Sequence, residues 1–225
     1  VIIAAVILSG RILAPLTQLA NLGVRLDRSL LSLRGLNQIM AQPVERPDSR
    51  DFVHYPKLQG AITFENVSFA YPEQDPEQQQ EVLRGVTVKI NAGERVGIIG
   101  RVGSGKSTLA KLMLNLYSPT EGSILIDHTD IRQIDPADLR RNIGFVPQDS
   151  FLFMGTIREN ISISAPHAED ADVVRAAVLA GVDDFVSKHP MGYDLPVGER
   201  GKNLSGGQRQ AVTLARALLF NPAML

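Results

Sequence analysis

Lys106 and Ser107 end a run, Gly100-Arg101-Val102-Gly103-Ser104-Gly105-Lys106-Ser107, whose glycines, lysine and hydroxyl fall at the spacing that holds a polyphosphate. The glycines let backbone N–H groups turn inward around anionic oxygens. Lys106 would reach the β- and γ-phosphates, and the Ser107 hydroxyl would sit on Mg²⁺. To position these groups the chain needs a strand before the loop and a helix after it. Arg95-Val96-Gly97-Ile98-Ile99 reads as a buried strand, and residues 108–116, opening on Thr108, read as a helix whose positive end faces the loop. Every fixed position is filled and both flanks suit, so the chain is expected to bind a nucleoside triphosphate.

A second run offers a second anion site. Leu204-Ser205-Gly206-Gly207-Gln208 precedes a helical stretch, residues 209–219, stopped by Asn221-Pro222. Ser205 stands where an N-cap belongs, and Gly206 and Gly207 leave the first amides bare. One nucleotide does not ordinarily need both sites from the same subunit, which points to a site shared between subunits.

These runs, in this order, resemble the ABC transporter ATPases of exporter type. The resemblance implies an α/β P-loop NTPase fold, an ABC-type nucleotide-binding domain with a helical subdomain, preceded by the end of a transmembrane helix. Residues 204–208 would be the signature motif. Two such domains would dimerise head to tail, each ATP lying between residues 100–108 of one copy and the signature serine and glycines of the other. Other positions match in order. Tyr71, in Phe69-Ala70-Tyr71-Pro72, resembles the aromatic residue that stacks on adenine. Gln148, in Phe145-Val146-Pro147-Gln148-Asp149, resembles the catalytic-site glutamine that touches Mg²⁺ and the attacking water. Val197-Gly198-Glu199-Arg200-Gly201 resembles an exporter loop in which Glu199 would serve interdomain coupling. The same residues fit plainer roles: Tyr71 a strand-end tyrosine with a half-buried ring, Gln148 a turn cap, Glu199 and Arg200 a solvated pair.

Residues 221–225 read as the start of a further buried strand. In the resembled family that strand ends in an Asp for Mg²⁺ and a Glu that polarises water, and a switch histidine follows later. The four histidines, His54, His128, His167 and His189, all precede the signature and read as surface or loop residues. The chain is therefore expected to be a fragment, truncated at both ends, holding the binding half of an ATPase without its general base; turnover by it alone is not expected.

Residues 1–9 are apolar, Gly10-Arg11 interrupts them, and residues 12–24 continue without a charge. A membrane span needs about 20 apolar residues, and the resemblance implies the last transmembrane helix of an exporter here. Leu26, Leu30, Leu33, Leu36 and Ile39 then recur at helical spacing among charges, an amphipathic helix suited to a bundle. The expected organisation is residues 1–45 for the end of a transmembrane domain and its cytoplasmic helix, 46–57 for a proline-broken linker, and 58–225 for the nucleotide-binding domain. Within the last, residues 62–70 alternate as a strand, residues 73–81 read as a polar hairpin loop, 121–127 as turn and strand, 136–141 as a short helix opened by proline, and 151–187 as mostly helical.

A net charge of −1 over 225 residues, without a basic stripe, argues against nucleic acid as the main partner. With no cysteine there is no disulfide framework or thiolate metal site. The runs Ile7-Leu8-Ser9-Gly10-Arg11-Ile12-Leu13-Ala14-Pro15-Leu16 and Leu36-Asn37-Gln38-Ile39-Met40-Ala41-Gln42-Pro43-Val44-Glu45-Arg46-Pro47 resemble the type I secretion permease/ATPase branch. That resemblance implies ATP and Mg²⁺, a homodimer in the bacterial inner membrane with its ATPase domain in the cytoplasm, a periplasmic adaptor, an outer-membrane channel and secreted protein cargo. Two other readings stand beside it: a soluble ABC ATPase without transport, and a binding-only protein without turnover.

Overall fold

The computed structural model describes all residues except 1, 43, 48–50 and 73–79, with the side chains of 2, 4–14, 16, 17 and 20 also outside the described set. It comprises two compact units, residues 1–47 and 48–225.

The first unit is one helix, α1 (Ile2–Met40), which continues through Gly10, Arg11 and Pro15. The predicted stripe Leu26, Leu30, Leu33, Leu36 and Ile39 is exposed along its whole length. Among the described residues, no helix is long and apolar enough to cross a membrane. The expected membrane segment falls largely on side chains outside the described set, as does most of the hairpin loop expected over 73–81.

The second unit has two cores. One is built on a sheet of order β2-β1-β3-β4, formed by β1 (Ile62–Ala70), β2 (Glu81–Ile90), β3 (Glu121–Ile126) and β4 (Thr129–Asp130). All pairings are antiparallel, with Phe64 opposite both Val88 and Ile124. Alternation puts Ile62 and Phe64 inside; a bulge at Glu65 and Asn66 shifts the phase, so that Val67 and Phe69 continue on the buried side. Helices α2 (Lys106–Met113) and α3 (Pro136–Asn142) join this core through Leu112 and Leu139. Asp135 caps α3 ahead of its N1 proline, with its carboxylate accepting from the Ala137 N–H at 2.8 Å.

The second half of the segment read as a linker is tied to this core. Val53 bridges Ile134, Tyr55 N–H donates to Asp138, and the Asn142 side chain accepts from Leu58 N–H. The Asp127 carboxylate accepts from the amides of Gln59, Gly60 and Ala61.

One sequence expectation is corrected. Residues 95–99 form no strand, and Val96, Ile98 and Ile99 are exposed, Ile99 at 99%. An apolar run becomes a strand only when a neighbour supplies its hydrogen bonds. Among the described residues none lies beside this one, because the sheet is completed by β1 to β4 alone. The segment expected to start a strand at the far end does pair: Met224 makes a parallel bridge with Ile143, and the Gly144 N–H donates to the Met224 carbonyl at 2.8 Å.

The other core gathers α4 (Ile157–Ser162), α5 (Asp170–Leu179), α6 (Asp183–Val186) and α7 (Gly206–Leu218) around Leu152, Ile161, Val173, Ala177, Val212 and Ala215. Asn160 is its polar keystone. Its Oδ1 accepts from the Phe153 N–H at 2.8 Å, and its Nδ2 donates to the carbonyls of Phe153 and Thr156. From α7, Arg216 donates to the Asn160 carbonyl and Oδ1 and to the Phe151 carbonyl. Burial pulls the Arg216 guanidinium below its usual range, and these carbonyls keep the buried charge hydrogen-bonded. Replacing Asn160 with Ala leaves several partly buried groups without their partner at once, so urea denaturation should report a loss of about 2–3 kcal/mol.

Candidate functional site

The predicted loop sits between β2 and α2, and its shape is decided at Gly105. This residue is the N-cap of α2 with φ +86, a left-handed backbone. An added Cβ would lie 2.6 Å from Leu83 Cδ2 and 3.3 Å from the Val82 carbonyl. Glycine is therefore required twice, by backbone angle and by close approach to β2. No side chain caps α2, so its N-terminal dipole faces the loop undiluted.

Lys106 folds back over the loop, its Nζ donating to the carbonyls of Gly100 at 3.0 Å and Arg101 at 2.8 Å, with Ser104 Oγ at 3.5 Å. The ammonium is thereby held above the loop rather than extended into solvent. Gly100, Arg101, Val102, Gly103, Ser104 and Ser107 are exposed; Gly105 and Thr108 are buried. Tyr71, Val82 and residues 103–108 line a shallow pocket of 260 Å³.

Tyr71 reaches this pocket from the end of β1, half-buried, its ring edge-on to Phe69 and Tyr117 and its hydroxyl 3.0 Å from Thr108 Oγ1. The half-buried strand-end tyrosine and the pocket-lining aromatic are thus the same residue in the same pose. Gln148 is exposed in the loop after α3 and does not line the pocket. The Ser107 hydroxyl and the Gln148 side-chain oxygen are both exposed hard-oxygen donors of the kind Mg²⁺ takes; Ser107 lines the pocket and Gln148 does not. Among the described residues no group of three or more His, Cys, Asp or Glu gathers.

The signature run is built separately. Ser205 caps α7 in a reciprocal box: its Oγ accepts from the Gln208 N–H at 3.3 Å, and its own N–H donates to Gln208 Oε1 at 2.8 Å. The hydroxyl keeps its proton for an outside acceptor. Leu204 is buried under α7, while Gly206 and Gly207 are exposed, with no atom within 4 Å of a Cβ at Gly207. Glu199 is exposed in a single 3-10 turn, 3.5 Å from Lys202 Nζ, next to Arg200 in a left-handed backbone. The structure brings Tyr71 to the phosphate loop; it places Gln148, Glu199 and residues 204–208 outside that pocket.

Two features escaped the sequence reading. Gln208 is a capping-box partner, which the spacing Ser-x-x-Gln could have shown. The contacts of Thr108 and Lys111 with Tyr71 carry no local signal.

The phosphate loop on a helix start, the aromatic residue beside it and the separately capped glycine pair define an ABC-type nucleotide-binding domain with a helical subdomain. The family description "ABC transporter" matches residues 83–225, and the chain belongs to that family. It is 42% identical over 224 residues to the leukotoxin translocation ATP-binding protein LktB of Mannheimia glucosida, covering 100% of this chain and 31% of the relative. The LktB of Bibersteinia trehalosi matches with the same identity and coverage. The chain thus spans about a third of the length of these relatives. Among solved structures, a bacterial Atm1-family ABC exporter with ATP bound superposes with TM-score 0.74 at 39% identity, covering 87% of this chain and 33% of that one.

Gly105→Ala tests the loop geometry. Its strained φ and clash with Leu83 should lower stability by about 1–2 kcal/mol, and calorimetry should find ATP affinity lost.

Proposed function

We propose that this chain is the ATP-binding part of an ABC exporter that couples ATP binding and hydrolysis to export across the bacterial inner membrane. The observation that carries it is the presence of two glycine-flanked helix starts, at Gly105 beneath the exposed residues 100–104 and at the exposed Ser205, belonging to two different cores of one unit. A single phosphate cluster between two copies would use one start from each. ATP would lie on residues 100–108 with its base on Tyr71, and Lys106 would leave the carbonyls it now contacts for the β- and γ-phosphates. Ser205, Gly206 and Gly207 of a second copy would close over the γ-phosphate. When bound, Mg²⁺ neutralises phosphate charge; Ser107 and Gln148 would hold it, and Gln148 would orient water.

Residues 58–225 would be the cytoplasmic domain, 46–57 the connection to it, and 1–45 the end of a membrane domain. The unpartnered apolar stripe on α1 supports packing against further helices. Glu199 would meet the membrane domain. The similarity to proteins named for leukotoxin translocation supports a type I secretion exporter acting on a secreted protein, as a homodimer with a periplasmic adaptor and an outer-membrane channel.

Lys106→Ala should weaken ATP by roughly tenfold or more; unchanged affinity in a fluorescent-nucleotide titration contradicts the site. Ser205→Ala should leave that affinity intact and abolish ATP-driven dimerisation measured by light scattering.

A further inference from the structure

Tyr71 is held on α2 by more than its hydroxyl. The Lys111 ammonium stands over its ring, 5.5 Å from the centroid. Thr108 and Lys111 are three residues apart on α2, so they share one face of the helix that begins at the phosphate loop. Tyr71 is therefore grasped at two points by that helix. Its ring also stands T-shaped to Phe69 at 4.9 Å and 80°, and to Tyr117 at 5.2 Å and 87°. Lys111 is half-buried, and among the described residues no carboxylate pairs with it; the ring is the contact its charge makes.

We infer that Lys111, with Thr108, is a positioning residue for Tyr71, and that it sets how firmly the site holds a nucleoside as distinct from a bare polyphosphate. This inference rests on the nucleotide-site reading above. The physical reason is geometric. A base stacks at a smaller ordering cost on a ring whose tilt is already fixed relative to the phosphates. The cation over the ring and the hydroxyl on Thr108 fix that tilt to α2, whose N-terminus holds the phosphates. Removing the charge while keeping the stem loosens the ring and leaves the phosphate loop intact.

The test is calorimetric titration of the full chain with ATP and, separately, with inorganic tripolyphosphate. Lys111→Met should weaken ATP about two- to fivefold and leave tripolyphosphate binding unchanged, which also shows that the variant is folded. Lys111→Arg, which keeps a cation on the ring, should restore ATP affinity. An unchanged or tightened ATP affinity in Lys111→Met, an equal loss for tripolyphosphate, or no rescue by arginine overturns the inference. The parent reading is checked in the same series. If the unaltered chain fails to bind ATP, or Lys106→Ala binds it equally well, the site reading falls and takes this inference with it. If both controls behave and only Lys111→Met matches the unaltered chain, the inference alone falls.

Discussion

The close approach of Gly105 to β2 is the constraint on which the phosphate site depends. Its left-handed backbone starts α2 directly against Leu83 and Val82, with no room for a side chain. That approach aims the helix dipole at the loop, places Lys106 over the carbonyls of Gly100 and Arg101, and sets Thr108 beneath the Tyr71 hydroxyl. A helix started one residue later, or lifted by a methyl group, would misplace all three together. The site is stiff because its parts share one origin.

The signature run obeys a different logic. Its helix, α7, is anchored in the other core, by Val212 and Ala215 and by Arg216 on Asn160. The Ser205–Gln208 box satisfies the N-cap internally, so the helix start is ordered by its own residues. Between the cores runs a cleft of 250 Å³, lined by Arg141, Phe145, Pro147, Phe151, Arg216 and Phe220. The two helix starts are thus positioned by different cores of the same unit.

What could be read from the residues is what short-range chemistry decides. The phosphate loop, the capped start of α7, the proline-opened α3 and the alternating β1 each depend on neighbours within a few positions, and each stands where its pattern put it. The run 95–99 failed because strand formation needs a partner from elsewhere, which no local pattern supplies. Tyr71 is legible as a site residue through the family resemblance and its order ahead of the phosphate loop, since its place at the strand end suits a plain role equally; its tether to Thr108 joins positions 37 apart. Arg216 and Asn160 lie 56 positions apart, and their contact carries no local signal. Such pairs become visible only when the cores are assembled.

The bare residues 95–99 also bear on how the molecule behaves among its own kind. Val96, Ile98 and Ile99 are exposed, and none of them joins a strand pairing among the described residues. Apolar surface of this kind is open to packing by another chain. With a net charge of only −1, the chain has little electrostatic repulsion to keep copies apart. Apolar residues left bare in a row are where copies of a chain adhere, so this segment bears on solubility as well as on fold.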